Sequence, residues 1–272
     1  MPKLQPITVL AVFFLTIARL LPILALAPFL GAPKTVPMTI RMLFSIALAA
    51  IFLPQNLMSV HQEIPLSLPF IGFCLKELVI GFILAFVSSA PFFVATMAGS
   101  IIDQQRGSSS LQVTDPSTQT QTGPVGILYN YVLISLFFTL GGPFYFLEGV
   151  GTSYELIPVD AYFSGTLFNM NTPFWKGMFR ALEMMFDLSI QLSAPALIGL
   201  LLTDMFLGIA NRLAPQVQIV FLGISLKSWV GLALLAAAWS LIIQVMGKET
   251  MNWFKGLNQL IQQVGHIYAK TG

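Results

Sequence analysis

Charge is what this chain is short of. Of its 272 residues only 9% are Asp, Glu, Lys or Arg, and the net charge is +2. Soluble globular chains carry about 25% charged residues. A composition so poor in charge does not suit a solvated domain, and so small a positive excess gives no reason to expect nucleic-acid binding. The single cysteine, Cys74, excludes an intramolecular disulfide and a multi-cysteine metal site. It reads as a small packing residue. The two histidines, His61 and His266, are far apart in polar sequence. No HExxH, GxSxG, CxxC or Gly-rich phosphate loop occurs, and no nucleophile has an evident base. Catalysis, a cofactor and a metal are therefore not expected.

What is present is apolar sequence. Hydrophobic residues make up 56% of the chain and the mean hydropathy is +0.82. Apolar runs reach about 20 residues, the length of a membrane-crossing helix, without the alternation of a β-barrel. The chain reads as an all-α integral membrane protein. Its N-terminus has Lys3, an apolar stretch and Ala25-Leu26-Ala27, which resembles a cleavage site. Pro28 would follow that cut directly and Arg19 interrupts the apolar core, so the segment reads as retained.

Residues 4–31 form a first apolar block, and a turn-rich stretch from Gly31 to Pro37 separates it from a second, Met38–Leu53. A third, Phe70–Ile102, would span about 50 Å as one helix against a hydrocarbon core of about 30 Å. With Pro91 inside, a broken or strongly tilted helix is expected. Asp103–Gly123 is the most polar segment and reads as a flexible loop, longer than the usual connector. Pro124–Leu147 contains Gly141-Gly142-Pro143, which should break or bend it. The following connector, with Glu148, Glu155 and Asp160, carries no Lys or Arg before Lys176, which points to the non-cytoplasmic side. Phe174–Asp187 reads as an amphipathic helix at an interface, with Arg180 and Glu183 one turn apart. Blocks at Leu188–Ala210 and Val217–Met246 follow. Residues 1–247 are thus read as one polytopic domain. Residues 248–272 are read as an amphipathic basic tail, lying on the membrane or on a partner.

The chain is organised around Thr203–Ser228, which places Asp204, Arg212 and Lys227 at or near hydrocarbon depth. Each such charge costs roughly 2.5–3.5 kcal/mol near the centre of a membrane helix unless it is paired, hydrated or handed to a partner. Asp204 and Arg212 are eight residues apart, about 80° round a helix, so a direct pair is possible but not enforced. Arg41 and Lys76 could snorkel to a headgroup from a helix end, whereas Arg19, Asp204 and Lys227 have apolar sequence on both sides. Prolines add to the pattern: Pro22, Pro91, Pro143 and Pro195 interrupt apolar runs. Two classes of protein fit: a transporter with discontinuous helices, or a subunit whose breaks and charges are covered by other proteins.

One family carries this set of residues. Arg212-Leu213-Ala214-Pro215-Gln216, then Phe221-Leu222-Gly223 and Leu226-Lys227, is similar to the signature of the SctT/FliR family, the T/R subunit of the type III secretion export apparatus. Ser225 stands where many members have proline. Arg19, Pro28, Pro37, Arg41, Glu77, Gly81, Gly99, Asp103, Gly107, Asp115-Pro116, Gly141-Gly142, Pro158, Ala194-Pro195, Asp204 and Gly208 match the rest of the pattern in order.

The resemblance implies a fold of kinked, proline-broken helical hairpins packed in a hetero-oligomeric helical export-gate assembly. It implies a place in the bacterial inner membrane within a secretion basal body. The implied partners are the export-gate R and S subunits (FliP/FliQ-like), the U and V export subunits, membrane lipid, and secreted proteins in transit as unfolded chains. It also implies that the loop acts as a channel plug, through Gly107, Ser108, Leu111, Val113, Asp115 and Pro116. Arg19, Arg41, Glu77, Asp103, Asp204, Arg212 and Lys227 are expected to make interhelical or intersubunit pairs, with Ala214, Pro215, Gln216, Phe221 and Gly223 as the signature. The rival reading is a stand-alone secondary transporter or channel for a small solute, for which internal repeats would be expected. Only a faint echo between 26–34 and 213–227 is present.

Overall fold

A backbone in hydrocarbon has no water to satisfy its N–H and C=O groups, so long apolar runs close their hydrogen bonds within a helix. The computed structural model describes residues 6–31, 36–60, 64, 68–107, 123–161, 172–213 and 219–269, and within these leaves out the side chains of 173–174, 219–222 and 257–269. All regular structure among the described residues is helical. The elements are α1 (Pro6–Leu26), a 3-10 turn (Pro28–Leu30), α2 (Met38–Ser59), α3 (Leu68–Gln105), α4 (Pro124–Thr139), α5 (Gly142–Leu156), α6 (Pro173–Leu213) and α7 (Ile219–Ala269). Five helices, α1, α2, α3, α6 and α7, are long and apolar enough to cross a membrane. The shorter α4 and α5 meet that test only as a broken pair.

The break between α4 and α5 falls where glycine and proline were expected to put it. The Leu140 N–H donates to the Leu136 carbonyl at 2.8 Å, closing α4. Gly141 then takes φ 77°, the left-handed conformation that glycine adopts without a Cβ penalty. Elsewhere the helices continue through their prolines: Pro22 in α1, Pro54 in α2, Pro91 in α3 and Pro195 in α6. The third apolar block is therefore one helix of 38 residues. The amphipathic stretch 174–187 is likewise the first part of the 41-residue α6. The basic C-terminal stretch continues the 51-residue α7 without a break at 247.

A proline inside a helix leaves the carbonyl four residues back without its N–H partner. For Pro91 that carbonyl belongs to Val87, and the Trp253 indole Nε1–H donates to it at 2.8 Å. The start of the expected tail is thus held by its own chain: Phe254 is buried, and the Lys255 ammonium lies 5.7 Å from the centre of the Tyr145 ring.

The chain divides into two compact units. The first comprises Met1–Ala90, Gly141–Leu182 and Asn252–Gly272, and the second Pro91–Leu140 and Glu183–Met251. Membrane helices gain little from hydrophobic burial against one another, because lipid is as apolar as leucine. Close fit and hydrogen bonds hold them instead. In the first unit α1 packs along α2, and Phe29 meets Phe146 edge-on at 5.0 Å. In the second, Phe92 meets Phe137 edge-on at 5.5 Å. The backbones of α3 and α4 approach so closely at Gly99 and Gly126 that a Cβ on Gly99 would collide with the partner backbone.

Candidate functional site

The costliest residues in such a chain are its intramembrane charges, and they gather into two sets, one in each unit. In the first unit Arg19 on α1 faces Glu77 on α3. The guanidinium grips the carboxylate at two points, Nε to Oε2 at 2.5 Å and Nη2 to Oε1 at 2.9 Å. Its other N–H groups reach the C-terminal end of α5: Nη1 donates to the Ser153 carbonyl at 2.8 Å and to Ser153 Oγ at 3.2 Å, and Nη2 to the Ile157 carbonyl at 2.8 Å. All five guanidinium donors are engaged, and the group lies 4.2 Å from the centre of the Tyr154 ring.

Lys76 completes the set. Its ammonium lies 2.8 Å from Glu77 Oε1 and donates to the carbonyls of Pro158, Val159 and Ala161 at 2.8, 3.1 and 2.9 Å. Two cations thus share one carboxylate, and the excess positive charge is met by carbonyl oxygens at and beyond the end of α5. That end carries the negative pole of the helix dipole. Arg19 and Glu77 are both 0% exposed and Lys76 is 1% exposed. Around them Tyr154 donates its hydroxyl to the Thr16 carbonyl at 3.0 Å, and Asn56 on α2 donates to Thr16 Oγ1 at 2.9 Å. Gly81 lets α3 approach α1 here, because a Cβ would strike the Arg19 carbonyl.

Arg41 does the same service without a carboxylate. It is buried and donates to the carbonyls of Leu24 and Ala25 at 3.1 and 2.7 Å, to that of Gly31, and to that of Val36 at 3.4 Å. The last carbonyls of α1 have no N–H partners within the helix, so Arg41 caps α1 from α2. Neither Arg41 nor Lys76 snorkels to a headgroup, one of the two sequence expectations. Backbone carbonyls within reach of their tips keep both inside the chain.

The second unit holds the other set. Asp103, near the end of α3, accepts from the N–H groups of Val125 and Gly126 at 2.9 and 3.2 Å, capping α4 at its positive pole. Gly123 leaves room for the carboxylate. Arg106 Nη1 lies 3.5 Å from Asp103 Oδ1, and Nη2 donates to Ser228 Oγ at 2.8 Å. Asp204 on α6 pairs with Lys227 on α7, and its second oxygen accepts from Gln105 Nε2 at 3.0 Å. Asp204 therefore pairs with Lys227 rather than with Arg212, which is exposed at the end of α6. Lys227 and Asp204 remain 23% and 34% exposed.

The structure thus brings Arg19 to Glu77 and Asp204 to Lys227, and gives Arg41 and Asp103 backbone partners. Gly107 takes φ 78° just past α3, and Gly223 presses close to Leu207 between α6 and α7. Ser108, Leu111, Val113, Asp115 and Pro116 lie outside the described residues, as do Ala214, Pro215, Gln216 and the side chain of Phe221. Arg106 and Ser153 belong to these sets and were not singled out from sequence, and Lys76 was read there only as a cation able to snorkel. For Lys76 a signal existed: it sits beside Glu77 inside an apolar block.

Residues 10–253 match the model of a family described as bacterial export proteins, family 1. The chain is 30% identical over 153 residues to the surface presentation of antigens protein SpaR of Shigella flexneri, covering 56% of this chain and 57% of that one. It is 30% identical over 161 residues to the Yop proteins translocation protein T of Yersinia pestis, covering 59% and 60%. It therefore spans under two thirds of the length of these two relatives. To the flagellar biosynthetic protein FliR of Escherichia coli it is 27% identical over 236 residues, 86% of each chain. With the family model spanning most of its length, the chain belongs to the bacterial export proteins, family 1.

Proposed function

We propose that this chain is a core, non-enzymatic subunit of a type III secretion export gate. With R and S subunits it forms the channel through which unfolded proteins leave the bacterial cytoplasm. The match of residues 10–253 to a family of bacterial export proteins carries this reading. It sits with relatives named for antigen presentation at the surface, Yop translocation and flagellar biosynthesis. On this reading the chain is a multi-pass inner-membrane protein within a secretion basal body. The U and V export subunits are further partners, and secreted chains are its transit substrates.

The geometry supports a structural role for the charges of the first unit. Arg19, Lys76 and Glu77 are engaged by one another and by backbone carbonyls, whereas a solute-binding site needs groups that bind and release. The exposed apolar residues along α6, such as Leu202 at 62%, Met205 at 67% and Phe206 at 64%, suit a chain that meets lipid and other subunits there.

The loop between Asp103 and Gly123 is proposed as the plug of the closed channel, with Leu111 and Val113 as its sealing contacts. Its base suits this role, because Asp103 ties the end of α3 to the start of α4. Affinity purification of the tagged chain from membranes in mild detergent is expected to bring down R and S subunits. Recovery of the chain alone, together with solute transport by the isolated chain in vesicles, would support the transporter instead. Deleting Ser108–Val113 should raise small-solute leakage through the assembled complex, and unchanged leakage would refute the plug.

A further inference from the structure

The second unit holds an open cavity of about 320 Å³ where the end of α3 meets α6 and α7. Arg106, Asp204 and Lys227 supply its charged lining, with Gly208 and Ile224 among the rest. The balance of donors and acceptors is uneven. Both oxygens of Asp204 are engaged, one by Lys227 and one by Gln105. Arg106 reaches Ser228 Oγ and, at a long 3.5 Å, Asp103, while its buried Nε has no hydrogen-bond partner among the described residues. The Lys227 ammonium has three donors for its one carboxylate. Two cations therefore line the cavity with hydrogen-bonding capacity left over, and the acid that lines it is already satisfied. A site of this kind attracts an anion, and an ordinary small-ligand site begins at roughly 300 Å³.

Position narrows the class of anion. Arg106 stands just past the end of α3, Asp204 lies nine residues before the end of α6, and Lys227 lies eight residues into α7. The cavity therefore lies within about three helical turns of the ends of α3 and α6 and the start of α7. Apolar side chains stand exposed beside it, with Ile224 on its wall at 51% and Met205 and Ile209 on α6 at 67% and 59%. Basic pockets between membrane helices bind anionic lipid headgroups. We propose that this cavity binds the phosphate of an anionic phospholipid, with Arg106 and Lys227 on the phosphate and the acyl chains along the apolar face of α6. The inference goes beyond the export-gate reading and does not depend on it.

Gly208 offers a clean test, because a Cβ there would meet nothing within 4 Å. A leucine at that position would project into the cavity, leave every charge in place and favour the helix over glycine. Gly72 on α3, equally open, is the control. The full-length chain, purified and stripped of lipid in detergent, is titrated with phosphatidylglycerol, phosphatidylcholine or inorganic phosphate, and bound ligand is counted by native mass spectrometry. The expected result is a preference for phosphatidylglycerol over phosphatidylcholine of about tenfold, the effect of about 1.4 kcal/mol. Gly208→Leu abolishes that preference and Lys227→Gln weakens it. Gly72→Leu leaves it intact, and Asp204→Asn keeps or strengthens it. Equal retention of the two lipids, or an unaltered preference in Gly208→Leu, overturns the proposal. Inorganic phosphate binding as well as phosphatidylglycerol overturns the lipid assignment. Loss of subunit co-purification in Gly208→Leu with lipid retention unchanged would show that the cavity takes a protein carboxylate.

Discussion

The two charge sets use the same residue types to opposite ends. The Arg19–Lys76–Glu77 set is dry and closed: every guanidinium donor has a partner, and the surplus cation is met by carbonyls at the end of α5. The Asp204–Lys227 pair is a quarter to a third exposed, borders a cavity, and leaves donors open. Removing one partner from a buried pair costs roughly 3–5 kcal/mol, because a charge is stranded away from water. A pair that reaches solvent contributes about 1 kcal/mol or less. The first set therefore governs whether the chain folds. The Asp204–Lys227 pair contributes far less to the fold and is free to meet another molecule.

The contrast is broken most severely by Glu77→Gln, which takes from Arg19 and Lys76 the carboxylate they share. A loss of roughly 3–5 kcal/mol is expected, seen as failure to accumulate in the membrane or as a strongly lowered melting temperature in detergent. Arg19→Lys comes next. One ammonium cannot both grip the carboxylate at two points and reach the Ser153 and Ile157 carbonyls, and each charge-assisted bond lost costs roughly 1.5–3 kcal/mol. Lys227→Leu should cost about 1 kcal/mol or less in stability, yet impair secretion or complex assembly far more than Lys255→Leu, whose ammonium only overlies Tyr145. Equal secretion by the two variants would remove the case for Lys227. The smallest effect, confined to stability, is expected of Trp253→Phe, which keeps an aromatic ring but loses the indole N–H that bonds the Val87 carbonyl. It should lower stability by about 1 kcal/mol, read by the same melting experiment.

Much of this was legible in the sequence because the charges stand out against apolar surroundings. Arg19, Asp204 and Lys227 could be picked out by cost alone and Glu77 through the family resemblance, and the glycines at 141 and 142 marked the break between α4 and α5. Their partners were not legible, since Arg19 and Glu77 are 58 residues apart and Ser153 is a further 76 along. Backbone carbonyls, which hold Arg41 and much of Lys76, leave no mark in a sequence at all. Pro91 suggested a broken helix because its lost hydrogen bond is local, whereas the compensating donor, Trp253, comes from α7.

Exchanging the charges tests the account most directly. Arg19→Glu with Glu77→Arg keeps the pair but turns a carboxylate toward the Ser153 and Ile157 carbonyls, whereas Asp204→Lys with Lys227→Asp keeps a pair that water and the Gln105 amide can serve in either sense. Melting temperatures of the two double variants, measured on the full chain in the same detergent, should differ sharply: the first collapses, and the second stays within a few degrees of the parent protein. Equal loss in both, or survival of the first, would contradict the division between a closed clamp and an open pair.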